Sequence, residues 1–243
     1  MKTVIVFKVC MNPKDAMIRP DGTADWGMAS LAASDDDFRA TEIAKTLGGE
    51  VIGLTIGTGD AAWAAARGAD STVVITDAMP SSDAAVTADI LAKAVMKIGD
   101  VDLVMIGDSS WDPAVPVLLG AKLGWNTLAG VTDAAVSEFG YCAKRRLSGS
   151  EQNIEVSGPA VMAIAAKAAE ETPPGLKQVL MARKKPVTKM RMEDLGMNSN
   201  YEENVVRIGE ESPENTEAEM ICMESPEETV KILFDKLHEE GVL

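Results

Sequence analysis

The sequence predicts an α/β fold whose mostly parallel sheet is doubly wound, with helices on both faces. Three observations carry this. Short apolar runs at residues 2–9, 51–56, 72–76 and 101–106 are too brief for ordinary helices and read as strands buried on both faces. Between them lie segments whose apolar residues recur at helical spacing, and this alternation means parallel strands joined by right-handed crossovers. After Trp125 the alternation stops: residues 128–136, 141–147 and 154–156 read as strands with no helix between them, an antiparallel extension.

Each element has a local cause. The first strand runs into a loop marked by Asn12-Pro13 and Asp21-Gly22. Ser34, followed by Asp35, Asp36 and Asp37, outlines a capping box and opens a helix with Ala40, Ile43, Ala44 and Leu47 on one face. Gly48-Gly49 stops it. Strand 51–56 leads through Gly57-Thr58-Gly59 into an alanine-rich helix ending at Arg67, and Gly68-Ala69-Asp70 turns into strand 72–76. A helix over 83–98 points Val86, Ile90 and Val95 inward and leads to the central strand, 101–106. Asp112 is placed to cap the next helix, with Pro113 at a first position where a missing N–H costs nothing. In 160–169 the alanines favour helix, whereas Pro159 and the flanking strands favour a final strand.

The small polar loop Gly107-Asp108-Ser109-Ser110 joins the central strand to that helix. In an open α/β sheet such a loop sits at the carboxyl end of the strand, where ligands bind and backbone N–H groups can face an anion. Neither GxGxxG nor GxxxxGK[ST] occurs, so there is no dinucleotide fingerprint and no P-loop.

Composition narrows the function. Of 243 residues, 46% are hydrophobic but only 4% aromatic, so Ala, Val, Ile, Leu and Met must build the core. A net charge of −15 argues against nucleic acid and anionic membranes as partners. Cys10, Cys142 and Cys222 have no metal or disulfide spacing, which fits a reducing compartment. The single histidine, His238, lies in a charged C-terminal segment and reads as a surface residue rather than a catalyst. No apolar stretch reaches membrane-spanning length, and the N-terminal run reads as a strand, so a cytoplasmic protein is expected. Residues 193–243 carry fifteen acidic against three basic side chains, just after a basic run of Arg183, Lys184, Lys185, Lys189 and Arg191. The expected division is therefore an α/β nucleotide-binding domain over 1–185 and an extended partner-binding arm over 186–243. Ser225-Pro226-Glu227-Glu228 starts a terminal helix whose stripe of Val230, Leu233, Phe234 and Leu237 needs a surface, naturally a partner subunit's.

Several segments, in this order, resemble the beta subunit of electron transfer flavoproteins over nearly the whole chain. They are Val6-Phe7-Lys8, Gly49-Glu50-Val51 through Thr55-Ile56-Gly57, Gly68-Ala69-Asp70, and Asp102-Leu103-Val104 with Gly107-Asp108. Lys144-Arg145-Arg146, Pro159-Ala160-Val161, 182–186 and Asp194-Leu195-Gly196 follow. Residues 21–25 and 107–110 look closer to the fix-type branch than to the mitochondrial type. The resemblance implies an adenine nucleotide alpha hydrolase-like α/β domain paired with a larger alpha subunit that holds most of the FAD. It also implies AMP, or a second FAD, in the beta subunit, and electron flow from a partner dehydrogenase to an acceptor. By position, Val6, Lys8, Thr55, Ile56 and Gly57 would border the nucleotide, and Gly107, Asp108, Ser109, Ser110 and Asp112 would reach its phosphates. Arg145 matches the signature arginine near the alpha-bound flavin, and Leu195 the leucine of the dehydrogenase-docking loop.

The chain also departs from the family. Its phosphate loop continues as Asp112-Pro113-Ala114-Val115-Pro116 instead of the usual acidic, Thr and Gln residues, and two prolines remove two N–H donors. Gln152 stands where a signature Glu is expected, and no Arg adjoins Pro173-Pro174-Gly175. The expected function is an electron carrier subunit without substrate chemistry of its own. The alternative is a nucleotide-binding enzyme or sensor of the same α/β type. An ATP pyrophosphatase would want an SGGxDS-like loop after the first strand, where residues 8–12 read KVCMN, and a stress-type ATP-binding protein a Gly-rich phosphate loop.

Overall fold

The computed structural model describes residues 1–57, 60–81, 83–108, 113–147, 149–166, 174–198, 205, 220–223 and 225–242. They form two units, Met1–Met17 with Asp25–Ile208, and Ile18–Ala24 with Gly209–Leu243. The first is built on nine strands, β1 (Lys2–Val6), β2 (Glu50–Ile56), β3 (Ser71–Ile75), β4 (Leu103–Gly107), β5 (Asn126–Ser137), β6 (Gly140–Leu147), β7 (Ser150–Val156), β8 (Ala160–Ile164) and β9 (Val187–Met190). Across the sheet they run β7-β6-β5-β8-β4-β1-β2-β3-β9. Neighbours from β5 to β9 are parallel, and β6 and β7 add the expected antiparallel meander.

Helices α1 (Asp35–Leu47) and α2 (Ala62–Arg67) cover one face, where α5 (Leu176–Ala182) packs beside α2, with α3 (Ala84–Ile98) and α4 (Val115–Leu123) on the other. Strand alternation divides the side chains between these layers: Val4 and Val6 pack toward α3 and α4, Ile5 and Phe7 toward α1 and α2. Ser34 accepts the N–H of Asp37 (3.0 Å), the cap the sequence predicts, and Asp83 caps the second long helix by accepting that of Ala85 (2.9 Å). The α4 helix starts two residues later than its prolines suggest, with Ala114 as cap and Pro116 in the first turn. Asp112, the expected cap, lies outside the described residues. The alanine-rich stretch after Pro159 begins as β8, inserted between β4 and β5 with all five residues buried. An all-apolar run at the centre of a parallel sheet buries both faces, which outweighs alanine's preference for helix.

The expected arm begins too early. From Val187 the chain adds β9 to the sheet edge, parallel to β3. A 3₁₀ turn, Met192–Leu195, then carries Met192 (0% exposed) and Leu195 (8% exposed) into the core beside α3. Leu195, expected as an exposed anchor, is thus a core side chain. The turn is fixed by the Met192 N–H donating to Asp77 (2.8 Å) and by Gly196 in the left-handed region (φ 67°). Taken by itself, the second unit contains a turn in which Asp21 accepts from the Thr23 N–H and hydroxyl (3.0 and 2.7 Å), and α6 (Pro226–Glu239). Ser225 caps α6 through the Glu228 N–H (3.1 Å), as its sequence predicts. Val230, Leu233 and Phe234 are exposed. Among the described residues no helix is long and apolar enough to cross a membrane.

Because Leu195 is buried, Leu195→Ala should destabilise the first unit by about 2–4 kcal/mol. A urea midpoint equal to that of the wild type would show that the side chain is not a core element.

Candidate functional site

Chain connections leave β1 toward β2 on one side and reach β4 on the other, so the sheet reverses direction between β1 and β4. In doubly wound folds the ligand crevice opens at that switch point, outside the carboxyl ends of the strands. Here Val6 and Lys8 from the end of β1, Ile56 from β2, Gly107 from β4, and Ser34 and Asp37 from the start of α1 surround a cavity of about 60 Å³. Past Lys8, Ile56 and Pro80 it continues into an open groove of about 710 Å³ bordered by Cys10, Leu31, Trp63, Arg67 and Met79.

The floor is made by carboxylates. Asp37 Oδ2 accepts the Lys8 N–H (3.2 Å), and the same carboxylate takes the Gly107 N–H. Asp36 accepts the Ala166 N–H and Asp108 the Gly130 N–H, each at 2.7 Å. The ends of β1, β4 and β8 and the middle of β5 are therefore all tied by acidic side chains. A Cβ on Gly107 would stand 2.8 Å from Asp37 Oδ1, so only glycine lets the carboxylate approach β4 this closely. Burial pushes the Asp37 carboxyl up to about 7, against the lowering effect of hydrogen bonds from Lys8 and Ser34 and with a further upward push from Asp36. Asp36 is also raised, first by burial, with Asp108 and Asp35 adding to it.

Of the residues the sequence nominates, Val6, Lys8, Ile56 and Gly107 converge on the cavity. Thr55 is buried in β2, and Gly57 (φ 88°) ends that strand with its N–H on the Ile75 carbonyl (2.8 Å). Asp108 stands beside the cleft, but its carboxylate is turned to β5. Ser109, Ser110 and Asp112 lie outside the described residues. Arg145 is on β6, where its Nε donates to Gln152 across the ladder (2.9 Å), and it does not line the cleft. Sequence reasoning missed Asp37 as a floor residue. It also missed a stack in which Phe7 lies on Trp63 (5.1 Å between ring centres) and the Arg67 guanidinium lies 4.3 Å over Trp63. The i, i+4 spacing of Trp63 and Arg67 was the available signal.

Sheet order, switch-point cleft and meander together define a doubly wound α/β protein with a candidate ligand crevice at its switch point. Comparison with protein families matches residues 31–195 to the electron transfer flavoprotein domain, and the chain belongs to that family. Its members are flavin-associated electron carriers. The matched segment runs from before α1 to the end of the Met192–Leu195 turn.

The raised Asp37 pKa makes a signed prediction. The folded state holds this proton up to about pH 7 and the unfolded state releases it near 3.8. Stability relative to Asp37→Asn should therefore fall as pH rises from about 4 to 7, by about 4 kcal/mol at most, and stay level above that. Parallel unfolding profiles of the two proteins across this window would refute it.

Proposed function

We propose that this chain is the beta subunit of a heterodimeric electron transfer flavoprotein, passing electrons between dehydrogenases and an acceptor through FAD held mainly by an alpha subunit. The cleft carries the reading. It lies at the switch point of the sheet, where a nucleotide-type cofactor is expected, and the groove that adjoins it measures about 710 Å³, within the roughly 300–1,000 Å³ of a small-molecule pocket. The exposed apolar stripe of α6 supports the same reading, since a helix of this length needs a surface to pack on. We assign that surface to the alpha subunit.

The groove fits an adenine nucleotide. It has the room, an apolar wall in Ile56, Met79 and Pro80, and two cations in Lys8 and Arg67. AMP, or the adenylate portion of a second FAD, is the ligand we assign to it. Bound FAD supplies the redox chemistry, while the residues of this chain bind and orient. Arg145, on the meander, is the residue we assign to the alpha-subunit interface near the flavin. Leu195 serves dehydrogenase docking only by holding the Met192–Leu195 turn in place. Residues 21–25 and 107–110 favour the fix-type branch, and three free cysteines favour the cytoplasm.

The isolated chain should be colourless and become yellow only when produced with its alpha subunit. A stoichiometric FAD spectrum on the chain alone would overturn this assignment. Deleting residues 225–243 should release the alpha subunit, and a truncated chain that still co-purifies with it would remove α6 from the interface.

A further inference from the structure

We infer that the segment between β1 and α1 carries a docking surface for a redox partner, an apolar, methionine-containing face that meets the donor dehydrogenase rather than the alpha subunit. This rests on the chain being the beta subunit of an electron carrier. The segment is ordered by its own hydrogen bonds. Strands Cys10–Met11 and Leu31–Ala32 pair antiparallel, with Met11 opposite Leu31. The Asn12 N–H donates to the Ser30 carbonyl (2.8 Å), and Asp15 accepts from the Ser30 N–H (3.0 Å) and hydroxyl. Nearer the tip, the Ala29 N–H donates to the Trp26 carbonyl (3.0 Å) and the Gly27 N–H to Asp25 (2.9 Å). This scaffold leaves Met28 (86% exposed), Leu31 (69%), Met11 (46%) and Trp26 (41%) in solvent. Met11 and Leu31, directly opposite across the ribbon, share one face of it.

Single exposed apolar side chains are ordinary, whereas a group of large ones on one short segment marks an interaction site. At about 200 Å² for a side chain of this size, the four expose about 500 Å². That is one partner's share of an interface below roughly 1,200 Å² in total, the size of weak electron-transfer encounters. Permanent subunit contacts run to roughly 2,000 Å² or more. Position agrees with size. Met11 and Leu31 also line the open groove that adjoins the switch-point cavity, so a protein seated on them stands beside the cleft, where an electron donor has to come. Composition agrees as well. The unbranched, polarizable methionine side chain adapts to surfaces of different shape, which suits a carrier that meets its partners in turn. A permanent contact gains more from side chains with fixed rotamers. Leu195, the residue expected to dock, is buried and leaves that role to another surface.

Methionine oxidation reads this face directly. The FAD-containing heterodimer is treated with dilute hydrogen peroxide, alone and with a saturating amount of a dehydrogenase that reduces its flavin, the dehydrogenase's own substrate being left out. Sulfoxide formation is followed by mass spectrometry of the peptides. Met28 should oxidise in the heterodimer within twofold of its rate in the isolated chain, and at least fivefold more slowly once the dehydrogenase is present. Met96, exposed on α3 across the sheet, should keep its rate throughout. The double variant Met28→Gln, Leu31→Gln should lower kcat/KM for electron transfer from the dehydrogenase at least tenfold, with FAD content and melting midpoint unchanged. Protection of Met28 by the alpha subunit alone makes that subunit the occupant and overturns the inference. Either a Met28 that the dehydrogenase leaves unprotected or an unchanged kcat/KM also overturns it, while sparing the electron-carrier reading. Failure of the chain to form any flavin-containing heterodimer overturns that reading itself, and the inference with it. Should the double variant fail to fold, Met28→Gln alone decides by the same ratio.

Discussion

The carboxylates at the start of α1 hold together the carboxyl ends of the central strands, and the shape of the cleft follows from them. A parallel sheet leaves unpaired N–H groups where its strands end, and in many doubly wound proteins those groups receive an anion. Here Asp37 and Asp36 take them internally, from Lys8, Gly107 and Ala166. The positive end of the α1 dipole favours acidic residues at this place. The cost is the burial of Asp37, visible in a carboxyl raised to about 7. The strand ends are thereby fixed at close range, with Gly107 as the residue that permits the approach.

That arrangement gives the cleft its polarity. A floor whose donors are satisfied presents mainly apolar surface and carboxyl oxygens, while the cations stand on the α2 side.

The parallel core was legible because strands covered on both faces must be continuous apolar runs, and runs of this kind are visible without any structure. The meander was legible from turn residues and the loss of helical spacing. β9 was not: it is four residues long, lies at an edge and carries Lys189, so it has neither a period nor a buried run. Leu195 failed for a related reason, since one 3₁₀ turn is too short to show which side faces the core. Four residues around the cavity could be named because the resemblance supplied them. Asp37 could not, because Ser34-Asp35-Asp36-Asp37 is fully accounted for as a helix start, and a cap does not say which carboxylate turns inward.

The two units differ in how far they satisfy themselves. The α/β unit buries large side chains such as Ile5, Leu54, Met105 and Ile164 almost completely and closes its own core. By contrast, α6 is fourteen residues long with no buried residue, a length at which isolated helices are marginal in water. Its cap, its proline and its stripe favour helix strongly, and such local order is useful mainly if an apolar surface completes it. Under the proposed assembly an alpha subunit supplies that surface. A carrier built that way keeps its flavin at a subunit boundary, within reach of the redox partners it must serve in turn.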